Sequence, residues 1–214
     1  MDPIHQEGIC FLCDADADFV RAVNLIKPIP PRDRPEGFEA LARIIVEQQL
    51  SLASAAAIWG RLSSTLPNFT PEALLSLDDD ALRSCGLSRP KMRYCRALAE
   101  DVLAGTVQLE QLPNMPDEEV AAHLMQVKGI GRWTSEIYLI SCLNRPDVLP
   151  AGDIALQIAF QHLKELEARP SPDELTEKSR HLSPHRTLAA RILWRYYMDV
   201  AKPPKNNKKL DMPA

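Results

Sequence analysis

The chain has no run of about 18 apolar residues from which a membrane-spanning helix is built. Its first residues, Met1-Asp2-Pro3-Ile4-His5-Gln6-Glu7, carry neither the basic start nor the apolar stretch of a secretory signal. An intracellular protein is therefore expected, cytoplasmic or, in a eukaryote, nuclear. Cysteine is scarce: five residues, an odd number without framework spacing, read as reduced thiols rather than disulfides. Cys10 and Cys13 form one isolated C-x-x-C with no second pair or nearby histidines, which argues against zinc or redox chemistry. No segment alternates apolar and polar residues as a half-buried strand does, and nothing recurs at a solenoid period. An excess of positive charge is missing too. The formal net charge is -4, whereas affinity for a polyanion ordinarily comes from lysine and arginine that displace counterions. Placement offsets the deficit: Arg89, Lys91, Arg93 and Arg96 cluster in one segment, and Lys202, Lys205, Lys208 and Lys209 in another.

What the chain does have is helical pattern. With 214 residues and 45% hydrophobic content it can bury a core as one domain or two packed lobes. Apolar residues recur at helical spacing in Phe38, Leu41, Ile45, in Leu52, Ala55, Ala56, Trp59, Leu62, and in Val120, Leu124, Val127. The 18 prolines mostly fall where helices begin. Thr70-Pro71, Ser171-Pro172 and Ser183-Pro184 each place a capping hydroxyl before a proline at the first helical position, and Ser171 with Glu174 has capping-box spacing. Gly86 and Gly105 read as helix stops, and the proline-rich stretch from Ile26 to Pro35 as a linker.

The segment from Asp117 to Gln157 carries the functional signal. Lys128-Gly129-Ile130-Gly131 is a turn between two helical segments, and a Gly-x-Gly pair lets backbone approach a bulky ligand with no side chain intervening. Gly131 opens the following helix, so amides without intrahelical partners and the positive end of a dipole face outward, which suits phosphate. Ile130 points inward and pins the hairpin to the core. The acidic run Asp117 to Glu119 forms a first helical turn and complements its dipole. Asp153 precedes an apolar helix beginning at Ile154, so on the residues alone it is an N-cap.

Leu124-Met125-Gln126-Val127-Lys128-Gly129-Ile130-Gly131-Arg132-Trp133-Thr134 resembles the helix-hairpin-helix of the DNA glycosylase superfamily that bears an aspartate after the second helix, most closely its 3-methyladenine DNA glycosylase II branch. Ile44 to Ser51 resembles the strand-wedging segment, Gly86 to Tyr94 the second DNA-facing turn, Leu149 to Asp153 the catalytic-acid loop and Ser183 to Trp194 the closing helix. The resemblance spans residues 36 to 198. It implies an all-α, two-lobed fold with the active site in the interlobe cleft. One lobe would comprise residues 37–143; residues 1–36 plus 144–200 would form the other; 201–214 would be a basic, disordered tail, with nonspecific DNA contact its alternative. Compared with longer enzymes of the branch the chain lacks an amino-terminal β-rich domain.

The resemblance also implies roles. Asp153 would stabilise the charge that builds on the sugar as an N-glycosidic bond breaks. Lys128, Gly129, Ile130, Gly131 and Thr134 would hold the DNA backbone, Gln48 or Gln49 would fill the gap left by an extruded base, and Lys91 would neutralise a phosphate. Trp133 stands where lyase members carry a nucleophilic lysine, which implies hydrolysis with water as nucleophile. Trp133 itself reads either as a core aromatic or as a stacking partner for the base. Backbone carbonyls of Met125, Val127 and Ile130 would hold a monovalent cation, with no iron-sulfur cluster, since the other cysteines are too scattered. Leu182 and Ile137 replace aromatic pocket residues of some members, which implies an altered substrate range. The expected partner is duplex DNA with a damaged base, bound by a monomer. Excision of oxidised, deaminated or mismatched bases, and a noncatalytic DNA-binding module, are the alternatives.

Overall fold

A computed structural model describes residues 3–29 and 34–202, and every regular element among them is helical. The basic tail beyond Lys202 lies outside the described residues. The chain divides into two compact units: residues up to Ile29 together with those from Asp153 onward, here the terminal unit, and Pro30–Gly152, the central unit. The sequence-based boundaries at 37 and 143 thus both fall inside the central unit. Backbone pairing explains the shift. The Arg34 amide donates to the Ser141 carbonyl at 2.8 Å, and the Arg145 guanidinium donates to the carbonyls of Pro113 and Met115, each at 2.8 Å. Both flanking segments are bonded into the unit they were expected to leave.

Two helices, α1 (Pro3–Ala15) and α2 (Ala17–Leu25), open the terminal unit. The central unit follows with α3 (Phe38–Glu47), α4 (Leu52–Ser64), α5 (Pro71–Ser76), α6 (Asp79–Ser84), α7 (Arg89–Leu103), a 3-10 turn at Leu109–Asn114, α8 (Asp117–Leu124) and α9 (Arg132–Ser141). Helix α3 is its axis, buried at Phe38, Leu41, Ile44, Ile45 and Val46 and packed on α4, α7 and α9. An apolar stripe wider than one face is what a helix surrounded by others requires. Its entry is fixed by the fully buried Tyr138 of α9, whose hydroxyl accepts the Gly37 amide at 2.9 Å. Burial pushes that phenol up to about 12, so it stays neutral.

Local signals read from the sequence are largely realised. Thr70 caps α5 through the Ala73 amide, and Gly86 and Gly105 take positive φ, +96° and +71°, just past the ends of α6 and α7. Val120, Leu124 and Val127 are buried, as are Ala55, Trp59 and Leu62 of α4. Leu52 and Ala56 depart from the pattern and are exposed.

The terminal unit resumes with α10 (Ile154–Leu163), α11 (Pro172–Lys178), a 3-10 turn at Arg180–Leu182, α12 (Arg186–Tyr196) and a π turn at Tyr197–Ala201. Helix α12 packs on α1, α2 and α10, and a β-carbon on Gly8 would come within 2.7 Å of Leu188 Cδ2, so α1 and α12 cross closely. The Ser171/Glu174 capping box is formed on both sides. Ser183-Pro184 is not a helix start: the His185 amide closes a turn onto the Leu182 carbonyl at 2.9 Å, and α12 begins two residues later.

An ion cluster braces this unit. Asp16 caps α2 and, with a nearly buried carboxylate, accepts Lys164 Nζ at 2.6 Å and His181 Nε2 at 3.1 Å; Lys164 also reaches Asp18 at 2.8 Å. Burial alone raises a carboxyl pKa, but here the bonds from Lys164 and His181 prevail and Asp16 titrates below its ordinary value. A depressed folded pKa stabilises the fold fully above the unfolded value and ceases to as pH falls through the folded one. Lys164→Met is expected to cost about 1.5–3 kcal/mol at neutral pH. Urea unfolding midpoints from neutral to strongly acidic pH should show the wild-type advantage vanishing only in strong acid.

Candidate nucleic-acid interface

The hairpin is built on two buried anchors, Val127 and Ile130, with the Ile130 amide closing the turn onto the Val127 carbonyl at 3.1 Å. Lys128 between them is exposed. Gly129 adopts φ +92°, and a β-carbon there would run into the ring of Tyr94 on α7. Glycine is thus required for both backbone conformation and space. Gly131 differs: its backbone is extended (φ -107°, ψ -177°), and a β-carbon at that position would have nothing within 4 Å. It is the N-cap of α9 and supplies no side-chain cap, so the start of α9 meets open space. Bare glycine and a dipole's positive end are what an approaching phosphate needs.

Gln48 holds this hairpin. It follows α3, and its side-chain amide donates to the Gly129 carbonyl at 3.0 Å and to the Thr134 hydroxyl at 2.9 Å. Thr134, expected at the backbone-binding surface, is buried and serves as this internal acceptor. Lys91, expected on a phosphate, instead donates to the carbonyls of Val46 and Gln48 at 2.6 and 2.7 Å. The reason is the end of α3, whose last carbonyls have no intrahelical donors and attract the nearest cation. Burial lowers the Lys91 pKa.

Gln49 stands apart from its neighbour. It takes φ +54°, is exposed, and is followed by exposed Leu50 and then Leu52, 63% exposed. Ser51 starts α4 as its N-cap, accepting the Ser54 amide at 3.2 Å. The tight reversal between two helices therefore pushes Gln49 outward while Gln48 is tied in.

Sequence reasoning included Tyr94 and Arg132 in its DNA-facing segments but gave neither a role. Tyr94, the platform under Gly129, has no local signal because it lies on another helix. Arg132 forks to Glu118 at 2.8 Å on both nitrogens and bonds Glu136 at 2.9 Å, clamping the start of α9 to the first turn of α8. Its i,i+4 spacing to Glu136 was a readable hint. Arg132 holds the Glu118 carboxyl below its ordinary range. Glu136 is raised by burial, against the pull of Arg132.

Asp153 belongs to the terminal unit, where it is half-buried and caps α10 by accepting the Leu156 amide at 3.1 Å. A carboxylate so held is fixed in direction. Gly152 before it has nothing within 4 Å of a β-carbon position, and Ile154 after it is 59% exposed. Trp133 and Ile137 are half-buried on α9, and Leu182 is fully buried in the terminal unit. Met125 is 40% exposed at the end of α8.

Residues 42–185 match the model of the HhH-GPD superfamily base excision DNA repair protein. The chain is 33% identical to DNA-3-methyladenine glycosylase 1 of Schizosaccharomyces pombe over 96% of its length and 91% of that protein's. It is 28% identical to the alkylbase DNA glycosidase-like protein mag2 of the same yeast, over 86% of this chain and 89% of that one. Among solved structures it matches the S. pombe 3-methyladenine DNA glycosylase Mag1 in complex with abasic DNA, with TM-score 0.81, 33% identity and coverage of 88% of this chain and 95% of that chain. It also matches a DNA-3-methyladenine glycosidase from Bacillus halodurans, with TM-score 0.74, 30% identity and coverage of 89% and 88%.

The two hairpin glycines should respond differently to alanine. Gly129→Ala is expected to lose more than about 1 kcal/mol of stability through its left-handed backbone and the clash with Tyr94. Gly131→Ala should melt like the wild type yet bind duplex DNA more weakly. Thermal melts paired with a duplex-binding titration separate the cases.

Proposed function

The chain belongs to the HhH-GPD superfamily of base excision DNA repair proteins, and from this premise we propose that it is a monofunctional DNA glycosylase that excises alkylated purines such as 3-methyladenine and 7-methylguanine. The observation that carries this is the bare, outward-facing Gly131 at the start of α9; in the terminal unit the Asp153 carboxylate is separately held by the Leu156 amide. Its partner is double-stranded DNA bearing a damaged base. No helix among the described residues is long and apolar enough to cross a membrane, and a repair enzyme acts where DNA is kept, so we place it inside the cell.

A target base within a duplex is inaccessible and must be rotated out, at a cost of a few kcal/mol in lost pairing and stacking. The hairpin supplies grip on the strand through Lys128 and the amides beginning α9. Gln49 is the residue that enters the vacated space. Its exposure and left-handed backbone support this, whereas the Gln48 side chain is already engaged with Gly129 and Thr134.

As the glycosidic bond lengthens, positive charge grows on the deoxyribose. Asp153 stabilises that charge electrostatically; the purine leaves with the bonding electrons, and water adds to the sugar carbon and gives up a proton to solvent. An alkylated purine is cationic and leaves readily, so a pocket without an aromatic at Leu182 suffices. Trp133 offers no amine for a Schiff base, and the product is an abasic site in an intact strand. Backbone carbonyls of Met125, Val127 and Ile130, hard oxygen donors, would hold a monovalent cation, which would add positive charge at the hairpin.

Asp153→Asn should reduce single-turnover base release by about 10²-fold or more while leaving binding to lesion duplex in place; equal loss of binding, or undiminished release, would contradict the assignment. A panel of duplexes each holding one modified base, scored for free base and for alkali-dependent breakage, fixes the substrate. Gln49→Ala should slow excision with an unchanged melt. Gln48→Ala should instead lower stability by about 1 kcal/mol.

A further inference from the structure

Of the eleven described lysines and arginines of the central unit, eight are spent internally. Arg34 and Arg43 pair with Glu47, Arg83 with Asp80, Arg96 with Asp79, Arg132 with Glu118 and Glu136, and Arg145 with Asp117. Arg61 donates to the Cys85 carbonyl and Lys91 to those of Val46 and Gln48. Among the described lysines and arginines of this unit, three remain without an acid or carbonyl partner: Arg89, Arg93 and Lys128, all exposed.

These three are not scattered. Arg89 and Arg93 stand at i,i+4 on the first turns of α7 and so share one face. The residue after Arg93 is Tyr94, whose ring occupies the space a side chain at Gly129 would need, and Lys128 precedes Gly129. The close approach of Tyr94 to Gly129 therefore joins the basic edge of α7 to the hairpin. No acidic residue lies between Leu87 and Glu100, so the edge is not neutralised along the helix. Lone unpaired arginines are common on surfaces. Two of them plus a lysine, concentrated beside a bare hairpin while the other described cations of the unit are paired, make a local positive field on a chain of net negative charge.

We propose that Arg89 and Arg93 are DNA-phosphate contacts that extend the hairpin's grip along the same strand and carry most of the salt-dependent affinity of the central unit. The proposal rests on the glycosylase reading for its ligand and replaces Lys91, which is committed to the end of α3, as the source of charge. Guanidinium groups suit the task because their planar donor fork meets phosphate oxygens two at a time.

The test is the salt dependence of binding to a duplex holding a stable abasic-site analogue. Removing one arginine–phosphate pair should reduce the slope of log affinity against log salt by about 1, and at about 50 mM salt should weaken binding about tenfold. R89A/R93A should therefore lower the slope by about 2, R89K/R93K should keep it, and R83A, which removes an exposed but paired arginine, should leave it unchanged. An unaltered slope in R89A/R93A, or an equal fall in R83A, overturns the proposal. Base release by the wild-type protein from an alkylated duplex is measured alongside. If the wild type releases no base but the slope still falls by about 2, the arginine contacts stand and the glycosylase reading fails. If it releases base and the slope is unmoved, the reverse holds.

Discussion

The carboxamide of Gln48 is the interaction on which the DNA-facing half of this protein depends. One side-chain amide, donating to a backbone carbonyl of the hairpin and to the Thr134 hydroxyl inside the following helix, joins the end of α3 to the turn between α8 and α9. Lys91 secures the same stretch from the opposite side by satisfying the carbonyls of Val46 and Gln48. Helix ends are where backbone groups lack partners, and three such ends meet here. Satisfying them with fixed side chains makes a rigid support and leaves Gln49, Lys128 and Gly131 facing outward.

An acidic protein that grips a polyanion must ration its positive charge. Among the described residues most arginines of the central unit are bound to carboxylates, Arg96 and Arg132 thereby joining separate helices, and the unpaired ones gather beside the hairpin. Backbone amides at the start of α9 would, in the proposed reading, supply the remainder of the attraction at no cost in net charge. Net charge alone was therefore a poor guide, because it sums pairs that cancel locally with groups that do not.

In the proposed reaction, Asp153 would join a structural role to a chemical one. As an N-cap it accepts the Leu156 amide, which fixes the carboxylate's direction. The same restraint is what electrostatic stabilisation of a transient cation asks for: a charge already in place that need not reorganise as the bond breaks.

Local chemistry in the sequence was enough to determine the all-helical class, the caps at Thr70, Ser171 and Asp153, the glycine stops at 86 and 105, and the hairpin with its inward Ile130. Each rests on residues within a few positions of one another, where propensity and hydrogen bonding act directly. The start of α12 was misplaced at Ser183-Pro184 because those residues form the turn that follows a 3-10 segment ending at Leu182, closed by the His185 amide. The lobe boundaries, the division of labour between Gln48 and Gln49, the inward commitment of Lys91 and Thr134, and Tyr94 as the platform for Gly129 were decided only by tertiary structure. Every one of these depends on partners tens of residues away. A side chain able to meet either phosphate or a carbonyl takes whichever the fold brings within reach, and spacing along the chain does not record that distance.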